Sequence, residues 1–115
     1  MPVMALPFWD VDASVAEIER CAAMGHKGIL FAGEPKKGGF PRLRSTHWDP
    51  IWAAAEELEM LVMLPPHGWT EPGRMDDYYL INVVCMPLAS TVAVSRMILG
   101  GVWERFPDLR MLVVH

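Results

Sequence analysis

Residues 49–66, Asp49-Pro50-Ile51-Trp52-Ala53-Ala54-Ala55-Glu56-Glu57-Leu58-Glu59-Met60-Leu61-Val62-Met63-Leu64-Pro65-Pro66, place a helix and a buried strand in direct succession. Asp49 can cap the helix, and Pro50 at the first helical position lacks only a donor that would be unpaired there anyway. Ile51, Ala54, Ala55 and Leu58 fall at i, i+3, i+4 and i+7, which gathers them on one face, while Glu56, Glu57 and Glu59 turn outward. Leu61–Leu64 is then a short, wholly apolar run stopped by Pro65-Pro66, because proline cannot supply the ladder donor. A helix followed at once by a strand apolar on both faces is the unit of a parallel sheet covered by helices.

The same unit recurs on either side. Towards the N-terminus, Val15, Ile18 and Ala22 mark a helix over 13–24, with Asp12 or Ser14 as N-cap and Ser14-x-x-Glu17 as a capping box. Met24-Gly25 ends it, since glycine adopts the left-handed position after a helix without a Cβ clash. The run Lys27–Ala32 follows as a strand expected to be buried on both faces, and 33–47, rich in Gly, Pro, Lys and Arg and without period, is a long loop. Towards the C-terminus, 75–99 reads as a buried helix with a break near Pro87, and Val92, Arg96, Leu99 and Trp103 carry its pattern towards Phe106-Pro107. Met111–Val114 closes the series as a third strand. The expected class is α/β, three parallel strands with covering helices in a single domain over 1–115.

Composition excludes several classes. The 115 residues are 52% hydrophobic and 21% charged, which opposes disorder. A net charge of −4 with dispersed basic residues opposes a nucleic-acid partner, because phosphate contacts need a dense basic stripe. The basic cluster 36–44 sits in the loop and reads as solvated, with no partner assigned. Cys21 and Cys85 are far apart in apolar helical patterns and imply neither a disulfide framework nor a metal pair. The opening segment lacks a basic leader, and the uncharged stretch 78–95 carries Asn82, Pro87, Ser90, Thr91 and Ser95, so neither export nor a membrane span is expected. The chain is expected to be cytoplasmic.

Parallel α/β folds bind ligands at the carboxyl ends of their strands. Of four histidines, His67 and His115 stand just beyond or at the end of expected strands, where a neutral imidazole can meet a metal or move a proton. A hydrogen-bonded structural histidine explains such a position equally well. His26 and His47 stand beside turn residues, and Asp10 and Asp12 are explained as helix-start caps. Gly33-x-x-x-x-Gly38 lacks the Lys and Ser/Thr that a phosphate loop requires. The methionines fall on apolar faces as core filling, and Trp69 is the tryptophan placed to line a pocket.

The stretches ALPFWDVDASVAEIERCAAMGHKGILF, HWDPIWAAAEELEMLVMLPPHG and GGVWERFPDLRMLVVH together resemble the amidohydrolase-related family of metal-dependent hydrolases and decarboxylases, the aminocarboxymuconate-semialdehyde decarboxylase-like group. The resemblance implies a TIM (β/α) barrel with one divalent metal, typically zinc, at the mouth of the strands. It further implies a small-molecule substrate, carboxylated or cyclic, undergoing hydrolysis or non-oxidative decarboxylation. By the motif match His67 corresponds to a metal-ligating histidine and His115 to a histidine near the metal that acts as acid/base or touches substrate. The family's H-x-H pair and late-strand aspartate have no counterpart here, and a barrel takes roughly 200 residues or more. The expectation is therefore an internal part of a barrel with an incomplete active site, whose unpaired strand edges favour a homo-oligomer. A catalytically silent product, or a non-enzymatic α/β module with structural histidines, stays open beside it.

Overall fold

A computed structural model of the chain describes residues 1–65 and 79–113, with the side chains of 79–82 and 84–86 outside that description. Four parallel strands form one sheet in chain order: β1 (Val3–Ala5), β2 (Gly28–Leu30), β3 (Leu61–Leu64) and β4 (Arg110–Val113). Helices α1 (Val11–Ala23), α2 (Asp49–Glu57), α3 (Tyr79–Leu99) and α4 (Val102–Arg105) occupy the connections. Among the described residues no helix is long and apolar enough to cross a membrane.

The expected class holds, but the count of three strands does not. Val3-Met4-Ala5 pairs in register with Gly28-Ile29-Leu30 as a fourth strand. It is three residues long and lies between Pro2 and Pro7, a composition that reads as a loop; both prolines flank the paired residues, so neither has to supply a ladder donor.

Register aligns side chains in layers across the sheet. Met4, Ile29, Val62 and Met111 are lateral neighbours, as are Ala5, Leu30, Met63 and Leu112. The first layer joins the core with Ile18 of α1 and Ile51 and Trp52 of α2. The second lies on the opposite face, where Leu30 and Leu112 remain 41% and 43% exposed. The strands were expected to be buried on both faces; in the described chain helices cover one of them. Phe31, just beyond β2, sits at the centre of the core with ring centroids 5.0 Å from Trp52 and 5.2 Å from Trp48, both edge-to-face.

Helix ends follow local chemistry more closely than period. α1 starts at Val11, and its cap is Asp10, whose Oδ1 accepts from the Ala13 N–H at 3.0 Å; Asp12 and Ser14 lie inside the helix. Ser14 is buried, and its hydroxyl lies 2.9 Å from the carbonyls of both Pro7 and Asp10, so it tethers the helix to the turn before it. Glu17, the expected capping-box partner, pairs instead with Arg20. The end at Met24-Gly25 is as expected: Gly25 has φ +88°, its N–H reaches the Ala22 carbonyl, and the His26 N–H reaches Cys21. In α2, Pro50 takes the first turn as expected, but Asp49 is already helical and makes no side-chain cap. In α3 the helix runs through Pro87 rather than breaking there, and it ends at Leu99 before Gly100-Gly101 rather than continuing to Trp103. Gly101 has φ +71°, a left-handed turn that separates α3 from α4. Among the described side chains of α3, Ala89, Ser90, Ala93 and Met97 are buried, while Val83, Leu88, Ile98 and Leu99 face outward.

Candidate functional site

Because all four strands run the same way, their carboxyl ends, Ala5, Leu30, Leu64 and Val113, lie along one edge of the sheet. This is the edge from which side chains of a parallel sheet can converge on a ligand. In sequence, His67 follows Leu64 by three positions and His115 follows Val113 by two. Both histidines, and Trp69, lie outside the described residues.

The other histidines belong to turns, as expected. His26 precedes β2 at the amino edge, and its backbone N–H closes the end of α1. Its Nδ1 is buried and has no hydrogen-bond partner among the described residues. His47 is exposed, stacks edge-on against Trp48 at 4.7 Å, and its N–H bonds to the Ser45 hydroxyl at 3.2 Å. Asp10 is a cap and Asp12 is exposed.

The reactive-group chemistry of the described part is quiet. Among the described residues no three His, Cys, Asp or Glu side chains stand together in a way that could hold a metal ion. These residues thus do not fit a metal centre by themselves, and a divalent ion would depend on donors beyond them. Cys21 is buried; desolvation pushes its thiol pKa up and its hydrogen bond to Glu17 adds to the rise, so it is poor as a nucleophile or ligand.

One polar arrangement is not visible in the sequence. Glu34, on the segment leaving the carboxyl end of β2, is bonded by Arg96 of α3, 62 positions away, and by Lys37 at 3.1 Å. Burial raises the Glu34 pKa, but the hydrogen bonds from Arg96 and Lys37 outweigh it and hold the carboxyl below its usual range. The loop 33–47 is also less irregular than expected, since it contains 3₁₀ turns at Pro35–Gly38 and Thr46–Trp48.

Comparisons with known proteins bear on this frame. The sequence model of the family described as Amidohydrolase matches residues 2–115. A 2-amino-3-carboxymuconate-6-semialdehyde decarboxylase of Dictyostelium discoideum is 31% identical over 112 residues, covering 96% of this chain and 30% of that protein. A 2-keto-4-carboxy-3-hexenedioate hydratase of a Sphingobium species is 30% identical over 114 residues, covering 95% of the chain and 31% of that protein. Among solved structures, apo IDCase of Metarhizium anisopliae overlays with a TM-score of 0.82 at 25% identity, over 96% of this chain and 31% of its own. The 2,6-dihydroxybenzoate decarboxylase of Rhizobium overlays with a TM-score of 0.74 at 23% identity, over 96% and 37% respectively, a likeness of fold. The chain thus spans about a third of the length of the proteins it matches. Its four parallel strands and their helices are part of a TIM (β/α) barrel, and in such a barrel the face carrying Leu30 and Leu112 is the one turned to the axis.

Proposed function

The chain belongs to the amidohydrolase family, and on that premise we propose that it is part of a metal-dependent hydrolase or non-oxidative carboxy-lyase acting on a small carboxylated molecule. The observation that carries the substrate class is shared by the matched relatives: the decarboxylase and the hydratase are both named for carboxylated compounds. The hydrolytic alternative rests on the family alone.

In this reading His67 would present an imidazole nitrogen to a divalent ion, zinc by the family resemblance, and His115 would exchange a proton with the substrate. The placement in sequence supports both roles, since each follows a parallel strand at the ligand-binding edge. A bound divalent ion would acidify water and stabilise developing charge on oxygen. The role of His115 is independent of that: loss of carbon dioxide leaves an electron pair on carbon, and a protonated imidazole beside it supplies the proton that makes the C–H bond. The exposed apolar face formed by Leu30 and Leu112 is the wall such a barrel turns inward, which keeps water away from the reacting centre. A cytoplasmic setting and association between copies complete the proposal.

The test is carbon dioxide release from a panel of small unsaturated and aromatic carboxylates by the zinc-loaded whole barrel that contains this chain, beside its His67→Ala and His115→Ala variants. Turnover lost in both variants supports the assignment. A metal-replete His67→Ala protein with full turnover would sink it.

A further inference from the structure

Five of the ten lysines and arginines of an otherwise acidic chain, Lys36, Lys37, Arg42, Arg44 and Arg96, gather on one groove between the 33–48 segment and α3. They come from three places: the first 3₁₀ turn, the segment after it, and the last turns of α3. The groove has two neighbouring halves whose linings share Arg42 and Arg96. One half, of about 310 Å³, is lined by Lys36 and Lys37 with Glu34 and Leu43. The other, of about 270 Å³, is lined by Arg44 with the apolar Val92 and Leu99 and the hydroxyls of Thr91 and Ser95.

A run of cations on a loop is ordinarily a solvated surface, and two features separate this one from that case. The loop is pinned. Leu43, Pro35 and Trp48 are buried, and the Arg42 carbonyl accepts from Trp48 Nε1 at 3.0 Å and from the Ser45 N–H at 2.8 Å. On the far side, a Cβ at Gly100 would come within 2.5 Å of Arg44 Cβ, so the end of α3 and the loop are in direct contact. The charges are also unbalanced. Glu34 is the sole carboxylate lining either half and is engaged by Lys37 and Arg96, whereas Lys36, Arg42 and Arg44 form no ion pair among the described residues. Cations that sit on a pinned backbone without counter-charges among the described residues, beside apolar side chains, concentrate anions.

We propose that this groove is a binding site for a small organic anion, with a carboxylate or phosphate head held by Arg42 and Arg96 and an apolar body lying on Val92 and Leu99. One N–H of Arg96 is used on Glu34, and a guanidinium has five, so the fork can serve both. The volume suits a single aromatic ring with its charged group. Neither His67 nor His115 is among the described residues that line it, and the proposal calls on no metal, so its test is separate from that of the proposed reaction.

The experiment is calorimetric titration of the 115-residue chain with inorganic phosphate, phenyl phosphate and benzoate. One-to-one saturable binding of an aromatic anion is expected, about tenfold or more tighter than inorganic phosphate because the ring buries apolar surface. Tighter benzoate assigns a carboxylate ligand, and tighter phenyl phosphate a phosphate ester. Arg42→Gln should weaken the aromatic anion by about tenfold or more, Leu99→Ser should narrow the gap to inorganic phosphate, and Arg110→Gln, at the amino end of β4, should change nothing. If Arg42→Gln melts below the parent chain, Lys36→Gln and Arg44→Gln decide in its place, since neither side chain has an ion-pair partner to lose. Absence of saturation, or equal weakening by Arg42→Gln and Arg110→Gln, overturns the proposal.

Discussion

Arg105 holds Asp49 in a two-point grip, Nε and Nη2 each 3.0 Å from a different carboxylate oxygen, across 56 positions of chain. The same guanidinium reaches back through Nη1 to the carbonyls of Gly100 and Gly101, at 3.0 and 3.2 Å. One side chain thereby ties the start of α2 to the turn between α3 and α4, and it explains why Asp49 does not cap its own helix.

Arg105→Lys should therefore destabilise the chain by about 1 kcal/mol, a figure reduced because both groups are partly exposed. A lysine keeps the charge but not the fork. Urea unfolding measures it: the midpoint of Arg105→Lys is expected close to that of Arg105→Ala, and a midpoint equal to the parent's would show that charge alone suffices.

The ends of α1 and α2 share one backbone motif with different residues at its critical position. In each, the two residues after the cap bond back to the last turn: Gly25 to Ala22 and His26 to Cys21, then Glu59 to Glu56 and Met60 to Ala55. Gly25 has φ +88° and Glu59 has φ +54°, which costs a side-chain-bearing residue roughly 1 kcal/mol. Glu59→Gly should stabilise by about 0.5–1 kcal/mol. Gly25→Ala should destabilise by a similar, about 1 kcal/mol, amount although a Cβ there meets nothing within 4 Å, since the cost is in the backbone. Thermal melts of the two variants shifting in the same direction would contradict the argument.

These cases show what is legible in the sequence. β3 was readable residue for residue, because an apolar tetrapeptide between a helix and two prolines has one interpretation. β1 was not, because three residues between prolines show no pattern until a neighbouring strand pairs with them. The start of α1 was misplaced because Asp10, Asp12 and Ser14 can all cap, and only the chain direction before Val11 selects among them. The exposed sheet face was invisible, since a strand lining a barrel and one packed between helices have the same composition. Glu34 and Arg96 are 62 positions apart, so no local spacing announces them. His67 and His115 were singled out by their order relative to the strands, and they lie outside the described residues.

Glu17 carries a pH signature. Two hydrogen bonds from Arg20, at 2.8 and 2.7 Å, lead the causes that lower its pKa to about 2, followed by the bond from Cys21. A carboxylate depressed on folding contributes stability that is complete above the ordinary carboxylate range and lost as pH falls towards the folded value. Between about pH 5 and pH 2 the melting temperatures of the parent and Glu17→Gln should therefore converge. A gap that stays constant over that range would remove Glu17 from the account.

Cys21 should be slow to react. It is 3% exposed and its pKa is raised by burial. In a Cys85→Ser background, a disulfide reagent near pH 8 should modify the native chain about tenfold or more slowly than the urea-unfolded chain. Equal rates would mean that α1 does not hold the thiol in the core.

The most direct test of the central claim is zinc binding by the purified chain, measured by competition with a chelating dye, beside His67→Ala and His115→Ala. The account predicts weak zinc binding by the chain alone, because His67 is a single donor and the family's H-x-H pair has no counterpart here, weakened further by His67→Ala and unchanged in His115→Ala, whose role is proton transfer. Zinc bound as tightly by His67→Ala as by the parent would contradict it.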